Sequence, residues 1–388
     1  MMEENGLPKG WVETTLGDIC DIKYGKDHKH LNEGSIPCYG SGGLMREVDS
    51  FLYDRHSVLI PRKGTLSNIF FVDVPFWTVD TLFYTIIDEK RVVPIFLFYK
   101  LKTYNLETLD VGSAVPSLTT AVLNQFPFEI PVSVNEQKAI ASILTSFDDK
   151  IELLQAQNET LETIAQTIFK EWFGKYQVGD ELPEGWRVGK LGEIAILRSG
   201  YAFKSRDFIE ESNFKVLKIK DLKGNGKVEI SNISCIDSEV TSLKRVKHFK
   251  LSEGDIVLAM SGNTTGKIGI VPPHSTEIFL NQRVGKFFLI DRQMNSYLYN
   301  FLMSDDYENK ILSMGYGSAQ PNINPTQIET IDLILPDNEQ LEKYLDISIP
   351  IFDKVLENNS QIQTLQATRD TLLPKLMSGK VRVDEFKE

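Results

Sequence analysis

Two related modules follow one another in this chain, because several short strings recur in the same order. LPKGW at residues 7–11 returns as LPEGW at 182–186, and GSAVP at 112–116 returns as GSAQP at 317–321. The offset between the copies grows from 175 to 205 residues, so the second module carries about 30 more residues than the first. Solenoid repeats have periods of about 20–50 residues. The pattern therefore predicts two related domains rather than a repeat array.

The composition is that of an ordinary globular protein with an acidic balance. Hydrophobic residues make up 41% and charged residues 25% of the 388 residues, and the formal net charge is −12. No apolar run reaches the ~20 residues that a membrane-spanning helix requires, and the N-terminus is acidic. We therefore expect no membrane span and no secretory signal, and we predict a cytoplasmic protein. The three scattered cysteines and five histidines predict neither a disulfide framework nor a metal site.

Positive charge is concentrated in the second module. Residues 201–292 contain 15 Lys and Arg against 11 Asp and Glu, whereas residues 1–200 contain 19 against 28 and residues 293–388 contain 8 against 15. The acidic total argues against a simple basic nucleic-acid binder. The helical segments and the termini carry the acidic excess.

Each module begins with short segments that are rich in β-branched and aromatic residues and are separated by turn residues. In the first module these segments lie at 51–53, 58–60, 69–72 and 82–87, with a short helical segment at 94–102; in the second they lie at 216–220, 256–259, 268–271 and 287–290, with a helical segment at 296–303. Residues 58–72 and 257–271 share a strand–loop–strand pattern. We therefore predict two tandem α+β domains related by a pseudo-twofold internal repeat.

A heptad pattern follows each body. Apolar residues recur in steps of four and three between residues 140 and 172, which is typical of a coiled-coil seam, and Asn158 is its one polar member. The seam consists of Ile140, Leu144, Phe147, Ile151, Leu154, Asn158, Leu161, Ala165, Ile168 and Trp172. A looser series after residue 338 includes Leu341, Leu345, Ile349, Phe352, Asn359, Ile362, Leu365, Leu372 and Leu376.

These two series predict two long helices that pack as an antiparallel coiled coil, because a 3.5-residue period requires a helical partner. We expect Pro350 and Pro374 to bend or break the second helix, since proline lacks the backbone donor. The alternative is that each helix is an ordinary amphipathic helix packed on its own body.

The chain contains no catalytic constellation that can be recognised from sequence. The string GNTTGKI at 262–268 is one residue too short between its glycines for a phosphate-binding loop and lacks the Ser or Thr after the lysine. Neither an Asn-Pro-Pro-aromatic methyltransferase motif nor a nucleophile elbow is present. We therefore predict a binding protein, and we interpret residues 262–267 as a loop that connects two strands.

Several polar loops combine basic, aromatic and amide side chains, which suit contacts with phosphates and base edges. The candidate DNA-binding residues are Lys26, Lys29, Arg62, Lys63, Ser113 and Ser117 in the first module, and Lys204, Arg206, Lys218, Lys220, Lys267, Ser318, Gln320 and Asn322 in the second. The alternative for each loop is an ordinary solvated surface. The repeated loop has Val115 and Ser117 in the first module where the second has Gln320 and Asn322, so the two copies cannot contact DNA alike.

Over residues 7–380 the chain resembles the specificity subunit of type I restriction–modification enzymes. The strings that carry the resemblance are LPxGW followed by Leu-Gly-acidic-Ile in both modules, KGTL at 63–66, SGYAFKS at 199–205, GSAQPNIN at 317–324 and LLPKLMSG at 372–379. The resemblance implies two target-recognition domains, at 1–134 and 176–337, and two helical spacer regions, at 135–175 and 338–388. Each domain would recognise one half of a bipartite, asymmetric DNA sequence.

The resemblance also implies partners. Double-stranded DNA and two modification subunits would bind this chain, with restriction subunits as an optional addition and no membrane involved. S-adenosylmethionine would bind to the modification subunits, and this chain would hold no cofactor and would not itself be catalytic. The residues of the spacer and of partner docking would be Ile140, Leu144, Phe147, Ile151, Leu154, Asn158, Leu161, Ile168, Trp172, Phe352, Asn359, Ile362 and Leu372.

Two other functions stay open at this point. The chain could be a coiled-coil scaffold whose bodies bind protein rather than DNA, or an enzyme with an unrecognised site.

Overall fold

The computed structural model describes residues 7–109, 117–315 and 323–383, and the chain divides into two compact units. One unit consists of Met1–Ile151 together with Leu365–Glu388, and the other consists of Glu152–Thr364. Each unit thus contains one β-rich body and a segment of each long helix. The described helices include none that is long and apolar enough to cross a membrane.

The first body is a set of small sheets with short helices between them. Its strands are β1 (Trp11–Thr15), β2 (Cys20–Tyr24), β3 (Ile36–Gly40), β4 (Gly43–Val48), β5 (Ser57–Pro61), β6 (Phe70–Val72), β7 (Trp77–Thr78), β8 (Leu82–Ile87) and β9 (Pro127–Pro131). Its helices are α1 (Leu16–Ile19), α2 (Pro94–Lys102) and α3 (Thr120–Asn124), and α4 (Val134–Phe169) follows. The central sheet is antiparallel in the order β2-β8-β5-β6, a second sheet has the order β4-β3-β7, and β1 pairs with β9.

The second body repeats this plan. Its strands are β10 (Arg187–Lys190), β11 (Ala195–Ser199), β12 (Phe208–Ile209), β13 (Phe214–Leu217), β14 (Leu222–Gly224), β15 (Lys227–Val228), β16 (Ser234–Ile236), β17 (Ile256–Ala259), β18 (Ile268–Ile270), β19 (Glu277–Leu280), β20 (Val284–Leu289) and β21 (Asp332–Leu335). Its helices are α5 (Ser238–Ser242), α6 (Lys244–Lys247), α7 (Asn295–Leu302), α8 (Asp305–Gly315) and α9 (Pro325–Glu329), and α10 (Asn338–Met377) follows. The sheet order β11-β20-β17-β18 matches β2-β8-β5-β6 strand for strand.

Most of the additional residues of the second module lie between β11 and β17. This stretch contains strand β12, the hairpin β14–β15 and the helices α5 and α6. The first body, which is described without a gap from Cys20 to Pro61, has no helix in the corresponding stretch. The internal repeat predicted from the sequence is therefore a common frame of sheets, into which the second module inserts further elements.

Most of the predicted elements agree with the observed ones, with two exceptions. The predicted segments 82–87, 256–259 and 94–102 coincide with β8, β17 and α2. Residues 216–220 are extended only at 216–217, because β13 ends at Leu217 and Ile219–Asp221 form a 3₁₀ turn. Residues 51–53 do not form a strand: Tyr53 makes a single bridge to Phe76, and the side chain of Phe51 is 52% exposed. The aromatic composition of this segment favoured a strand, but the segment meets a neighbouring chain segment at only one point.

The long helices bury the predicted seam. In α4, the seam positions from Ile140 to Ala165 are buried or half-buried, and most of the positions between them are exposed. After Phe169 the helix continues as a π-helical turn, Lys170–Gly174, and Phe169 and Phe173 become the more buried residues of this end. The π-helical turn, with its wider hydrogen-bond spacing, explains why the heptad pattern fits less well there.

Helix α10 is continuous from Asn338 to Met377, so of the predicted bend or break at Pro350 and Pro374 the break does not occur. Each proline removes one backbone hydrogen bond. The flanking side chains are held by tertiary packing, with Ile349 and Phe352 in the core of the second unit and Leu376 in that of the first. Burial of such side chains is worth about 1.5–3 kcal/mol each, which is enough to offset the loss.

Within each unit the two helices run antiparallel. In the unit of residues 152–364, Asn158 contacts Asn359, and Phe173 packs against Tyr344 with ring centroids 4.9 Å apart. In the other unit, Asp148 pairs with Arg369, and Glu136, nearer the start of α4, pairs at 3.2 Å with Arg382, which follows the end of α10. In both units the residue number rises along one helix as it falls along the other, so the predicted antiparallel coiled coil is confirmed.

Candidate nucleic-acid interface

The first polar loop of each body begins with a glycine, because the backbone of a neighbouring segment leaves no room for a side chain at that position. A Cβ atom at Gly25 would lie 2.0 Å from the carbonyl oxygen of Val79, and one at Gly200 would lie 2.2 Å from that of Leu280. The amide of Gly25 donates to the carbonyl of Leu82 (3.0 Å), and that of Gly200 donates to the carbonyl of Val284 (3.1 Å). The loops after β2 and β11 are therefore held at equivalent places, against the chain that leads into β8 and β20.

In the first body this arrangement brings four of the predicted residues together. The amide of exposed Lys26 donates to the carbonyl of Thr78 at 2.8 Å. Arg62 lies over the ring of Tyr24, with its Cζ 5.3 Å from the ring centroid, and its Nη1 donates to the carbonyl of Asp80 at 3.2 Å. Lys63 forms a β-bridge with Ser117. The loop after β2, the loop after β5 and the start of the segment at 117 thus meet on one surface.

Lys29 belongs to an open cleft beside these residues. The cleft is lined by Asp27, His28, Lys29, Gly40, Ser41, Gly42, Met45, Val79, Asp80 and Thr81. Of these, Met45 in β4 is 53% exposed, and the carbonyl of Ser41 accepts a hydrogen bond from the side chain of Asn68 at 3.1 Å. Residues of both charges and an apolar side chain therefore share one surface, which is suited to the mixed donors, acceptors and methyl groups of base edges.

The candidate residues drawn from the sequence did not include Tyr24 or Asp80, although the loop at 24–30 was selected because it combines an aromatic with basic side chains. Tyr24 is 48% exposed, and its ring packs against the guanidinium of Arg62. The exposed tyrosine directly before the Gly-Lys pair was an available signal, since aromatic side chains beside basic ones are typical of nucleic-acid surfaces.

In the second body, the predicted residues Lys204 and Arg206 lie on a loop beside three aromatic rings. Tyr201 and Phe203 pack at 5.0 Å between ring centroids, and Phe203 and Phe208 at 6.3 Å. The side chain of Arg206 is 79% exposed, and its Nε lies as far as 4.0 Å from Asp207 Oδ1. This ion pair is weak, so the guanidinium is available for a contact with DNA. Arg245, which sequence reasoning did not select, lies over Tyr201 with its Cζ 5.6 Å from the ring centroid.

The three remaining predicted lysines of the second body differ in their surroundings. Lys218 Nζ lies 3.7 Å from the ring centroid of Phe208 and donates to Ser234 Oγ at 2.9 Å. Burial and the nearby charge of Lys220 lower the pKa of Lys218. Lys220 and Lys267 are exposed, and Lys267 Nζ reaches the carbonyl of Lys223 at 3.4 Å. Lys220 and Lys267 suit phosphate contacts better than Lys218, which is already engaged.

The four remaining candidates, Ser113, Ser318, Gln320 and Asn322, lie outside the described residues. The described neighbours show where the repeated loop rejoins each body. The amide of Leu118 donates to the carbonyl of Arg62 (2.9 Å), and that of Ile323 donates to the carbonyl of Met260 (2.9 Å). Arg62 and Met260 are therefore equivalent positions with different chemistry.

The predicted helical residues line the interior of the helix pair. Ile140, Leu144, Ile151, Leu154, Asn158, Phe352 and Ile362 are buried, while Phe147, Leu161, Ile168, Trp172, Asn359 and Leu372 are half-buried. The apolar side chains exposed on the outer faces of α4 and α10 are Leu153 (61%), Ile164 (43%) and Ile347 (42%). Sequence reasoning missed these, although each is an apolar residue outside the seam. They are better placed for a partner than the seam residues themselves.

Among the described residues no group of three or more His, Cys, Asp or Glu side chains could hold a metal ion. The described surface loops therefore offer binding contacts, in the form of exposed cations, aromatic rings and hydrogen-bonding groups.

Comparison with known proteins identifies similar chains. The family described as "Type I restriction modification DNA specificity domain" matches residues 8–163 and 183–365. The MjaIX specificity subunit, from a type I restriction enzyme of Methanocaldococcus jannaschii, is 28% identical over 98% of this chain and 95% of its own length. The EcoAI specificity subunit of Escherichia coli is 32% identical over 87% of this chain and 61% of its own length. The crystal structure of a type I restriction–modification S subunit from M. genitalium shares the fold, with a TM-score of 0.62, 18% identity, and coverage of 97% of this chain and 98% of that one.

Proposed function

The chain belongs to the type I restriction–modification DNA specificity family, and from this premise we propose that it is the subunit through which such a complex recognises a bipartite, asymmetric DNA target. Each body recognises one half of the target. The chain itself is a recognition subunit rather than a catalytic one.

The observation that carries this proposal is the pairing of a common frame with different loops. The two central sheets have the same strand order, and Gly25 and Gly200 hold equivalent loops in place. On that frame, half-buried Arg62 in one body corresponds to buried Met260 in the other. Two surfaces of the same geometry and different chemistry select two different base sequences, so the target is asymmetric.

The side chains divide into two kinds of DNA contact. Exposed cations such as Lys63, Arg206 and Lys267 suit phosphates, which position the protein without reading sequence. Residues held by their neighbours, such as Arg62 and Arg245 against tyrosine rings, suit base edges, because their geometry is set before binding. The net charge of −12 is compatible with this role when partner subunits supply further positive charge to the DNA channel.

The remaining partners follow from the same premise. Two modification subunits dock on the helices, which also set the gap between the half-sites. Exposed Leu153, Ile164 and Ile347 support such docking, since apolar side chains on an outer helical face gain from burial against a partner. The modification subunits bind S-adenosylmethionine and methylate adenine, and restriction subunits add DNA cleavage where they are present. The complex acts on cellular DNA in the cytoplasm.

The test is methylome sequencing of a methylation-free host that expresses this chain with its cognate modification subunits. The expected result is adenine methylation at one bipartite, asymmetric motif, which disappears when this chain is omitted. A continuous palindromic motif, or methylation that does not depend on this chain, would contradict the proposal.

A binding experiment separates DNA recognition from a protein-binding scaffold. We expect Lys204→Ala with Arg206→Ala to weaken DNA binding by the assembled complex. The slope of its salt dependence should fall by about one ion for each phosphate that the variant no longer neutralises. The control is Lys343→Ala with Lys354→Ala, which removes the same charge from residues that pair with Glu339 and Glu357 on α10. Equal DNA binding by both variants and the wild type would favour the scaffold.

A further inference from the structure

We propose that Arg62 is a specificity-determining residue that recognises a guanine in the half-site bound by the first body. The inference rests on the proposed function and adds to it the base that one named side chain reads.

The backbone and side chain of Arg62 are both held in place. Its amide donates to the carbonyl of Thr81 at 2.8 Å, and its own carbonyl accepts from Leu118 at 2.9 Å. Its guanidinium lies over Tyr24, with 5.3 Å between Cζ and the ring centroid, and Nη1 donates to the carbonyl of Asp80 at 3.2 Å. Tyr24 itself is supported edge-on by Phe83, with ring centroids 4.9 Å apart. An arginine anchored in this way loses little conformational freedom when it binds.

The unused part of the guanidinium is a planar donor fork. Among the described residues, no acceptor engages Nε or Nη2 of Arg62. The O6 and N7 atoms of guanine present two acceptors side by side in the major groove, and arginine donates to both at once. A lysine cannot reproduce this geometry, because its ammonium is a single point charge on a flexible chain.

The charges around Arg62 favour a base edge over a phosphate. Asp80, whose carbonyl accepts from Arg62, and Asp27 line the adjoining cleft. Carboxylates repel phosphate, whereas they accept hydrogen bonds from the amino group of cytosine. Lys26 and Lys63 are exposed on the same surface and supply the phosphate contacts instead.

The second body cannot make the same contact. The amide of Met260 donates to the carbonyl of Arg283 (3.0 Å), and the carbonyl of Met260 accepts from the amide of Ile323 (2.9 Å). These two bonds repeat the backbone pairing of Arg62. The side chain of Met260 is only 4% exposed and packs in the core of that body. The donor fork of Arg62 therefore acts on one half-site only. A substitution that removes it must change one half of the motif alone.

The experiment is methylome sequencing of the full complex carrying Arg62→Lys or Arg62→Met. Lysine keeps the charge and the contact with Tyr24 but not the fork, and methionine reproduces the residue of the second body. We expect both variants to relax one guanine position of one half-site by about 10- to 100-fold in discrimination, with the other half-site unchanged. The matched control, Lys63→Met, should lower methylation evenly across sequences and keep the motif.

An unchanged motif in Arg62→Lys, relaxation at a position that is not a G·C pair, or an even loss across all sequences would overturn the inference. A retained second half-site in the same sample shows that the variant is folded, and the melting temperature of the complex gives a second check. Failure of the proposed function is distinguishable, because the wild-type complex would then produce no bipartite motif at all.

Discussion

Asn158 on α4 and Asn359 on α10 contact each other directly, with Asn158 Nδ2 donating to Asn359 Oδ1 at 2.9 Å. Asn358, which is fully buried, donates to both Asn158 Oδ1 (2.8 Å) and Gln157 Oε1 (2.9 Å). These four side chains form a polar layer within an apolar seam. Polar groups in a seam are satisfied only when the two helices are in one register, so the layer selects that register at some expense in stability.

We expect Asn158→Leu to lower the free energy of unfolding by about 1–3 kcal/mol, because it removes partners from two amides in or near the seam. The combined replacement of Asn158, Asn358 and Asn359 by Leu should recover part of this loss, since the one amide of the layer that remains, that of Gln157, is exposed to water. Urea unfolding of the whole chain measures both effects. Gln155→Leu, at an exposed position one turn away, is the control and should change stability by less than about 0.5 kcal/mol.

Two buried tyrosines of the second body should differ in how the loss of the hydroxyl affects stability. The hydroxyl of Tyr297 donates to the carbonyl of Ile334, whereas that of Tyr307 has no hydrogen-bond partner among the described residues. Tyr297→Phe should therefore destabilise the chain by about 0.5–1.5 kcal/mol, and Tyr307→Phe should be neutral or stabilising. Denaturant unfolding compares the two variants directly, and a destabilised Tyr307→Phe would show that this hydroxyl has a partner in solution.

Buried tyrosines also predict the behaviour at alkaline pH. Burial raises the pKa of Tyr297, Tyr299 and Tyr307 well above the ordinary value, and raises that of Tyr104 to about 12. The unfolded chain releases these protons near pH ~10 while the folded chain retains them, so stability is complete below about pH 10 and falls as the pH rises further. Burial also lowers the pKa of Lys100, Lys102 and Lys218, which acts in the opposite sense, but these lysines are fewer than the buried tyrosines.

Urea unfolding at a series of pH values between about 9 and 11.5, together with tyrosinate absorbance, measures this effect. We expect stability to fall with a slope of up to about 1.4 kcal/mol per pH unit for each buried tyrosine. Tyrosinate absorbance that rises fully before the chain unfolds would contradict the prediction.

The close backbone approach at Gly25 predicts that a side chain at this position weakens DNA binding. A Cβ atom there would meet the carbonyl oxygens of Val79 at 2.0 Å and Thr78 at 2.5 Å, so Gly25→Ala must displace the loop that carries Lys26 and Lys29. We expect at least a tenfold loss of DNA binding by the complex. Gly42→Ala is the matched control, because nothing lies within 4 Å of a Cβ at that position. Equal effects of the two variants would show that the loop tolerates displacement.

The features that could be predicted from the sequence are those with a local period or a local string. Heptad spacing from Ile140 to Ala165 predicted the buried face of α4, and the LPxGW and Gly-Ser-Ala strings predicted the repeat. The Arg62–Tyr24 contact could not be found in this way, because it joins residues that are far apart in the chain. Asn358 was missed for a related reason: the neighbouring Asn359 fits the heptad series, and only the packing shows which of the two amides is the more buried.

The antiparallel pairing of the helices predicts how a longer spacer should act. Because residues of α4 pair with residues of α10 within each unit, an insertion must be made in both helices to preserve the seam. We expect one heptad added to each, after Leu154 and after Ile362, to lengthen the gap between the half-sites by about 10 Å, or roughly three base pairs at ~3.4 Å each. Each half-site sequence should stay the same.

Methylome sequencing of the complex measures the new gap. The control is a two-residue insertion in both helices, which shifts the seam out of phase and should abolish methylation. A motif with its original gap in the heptad variant would show that the helices do not set the spacing.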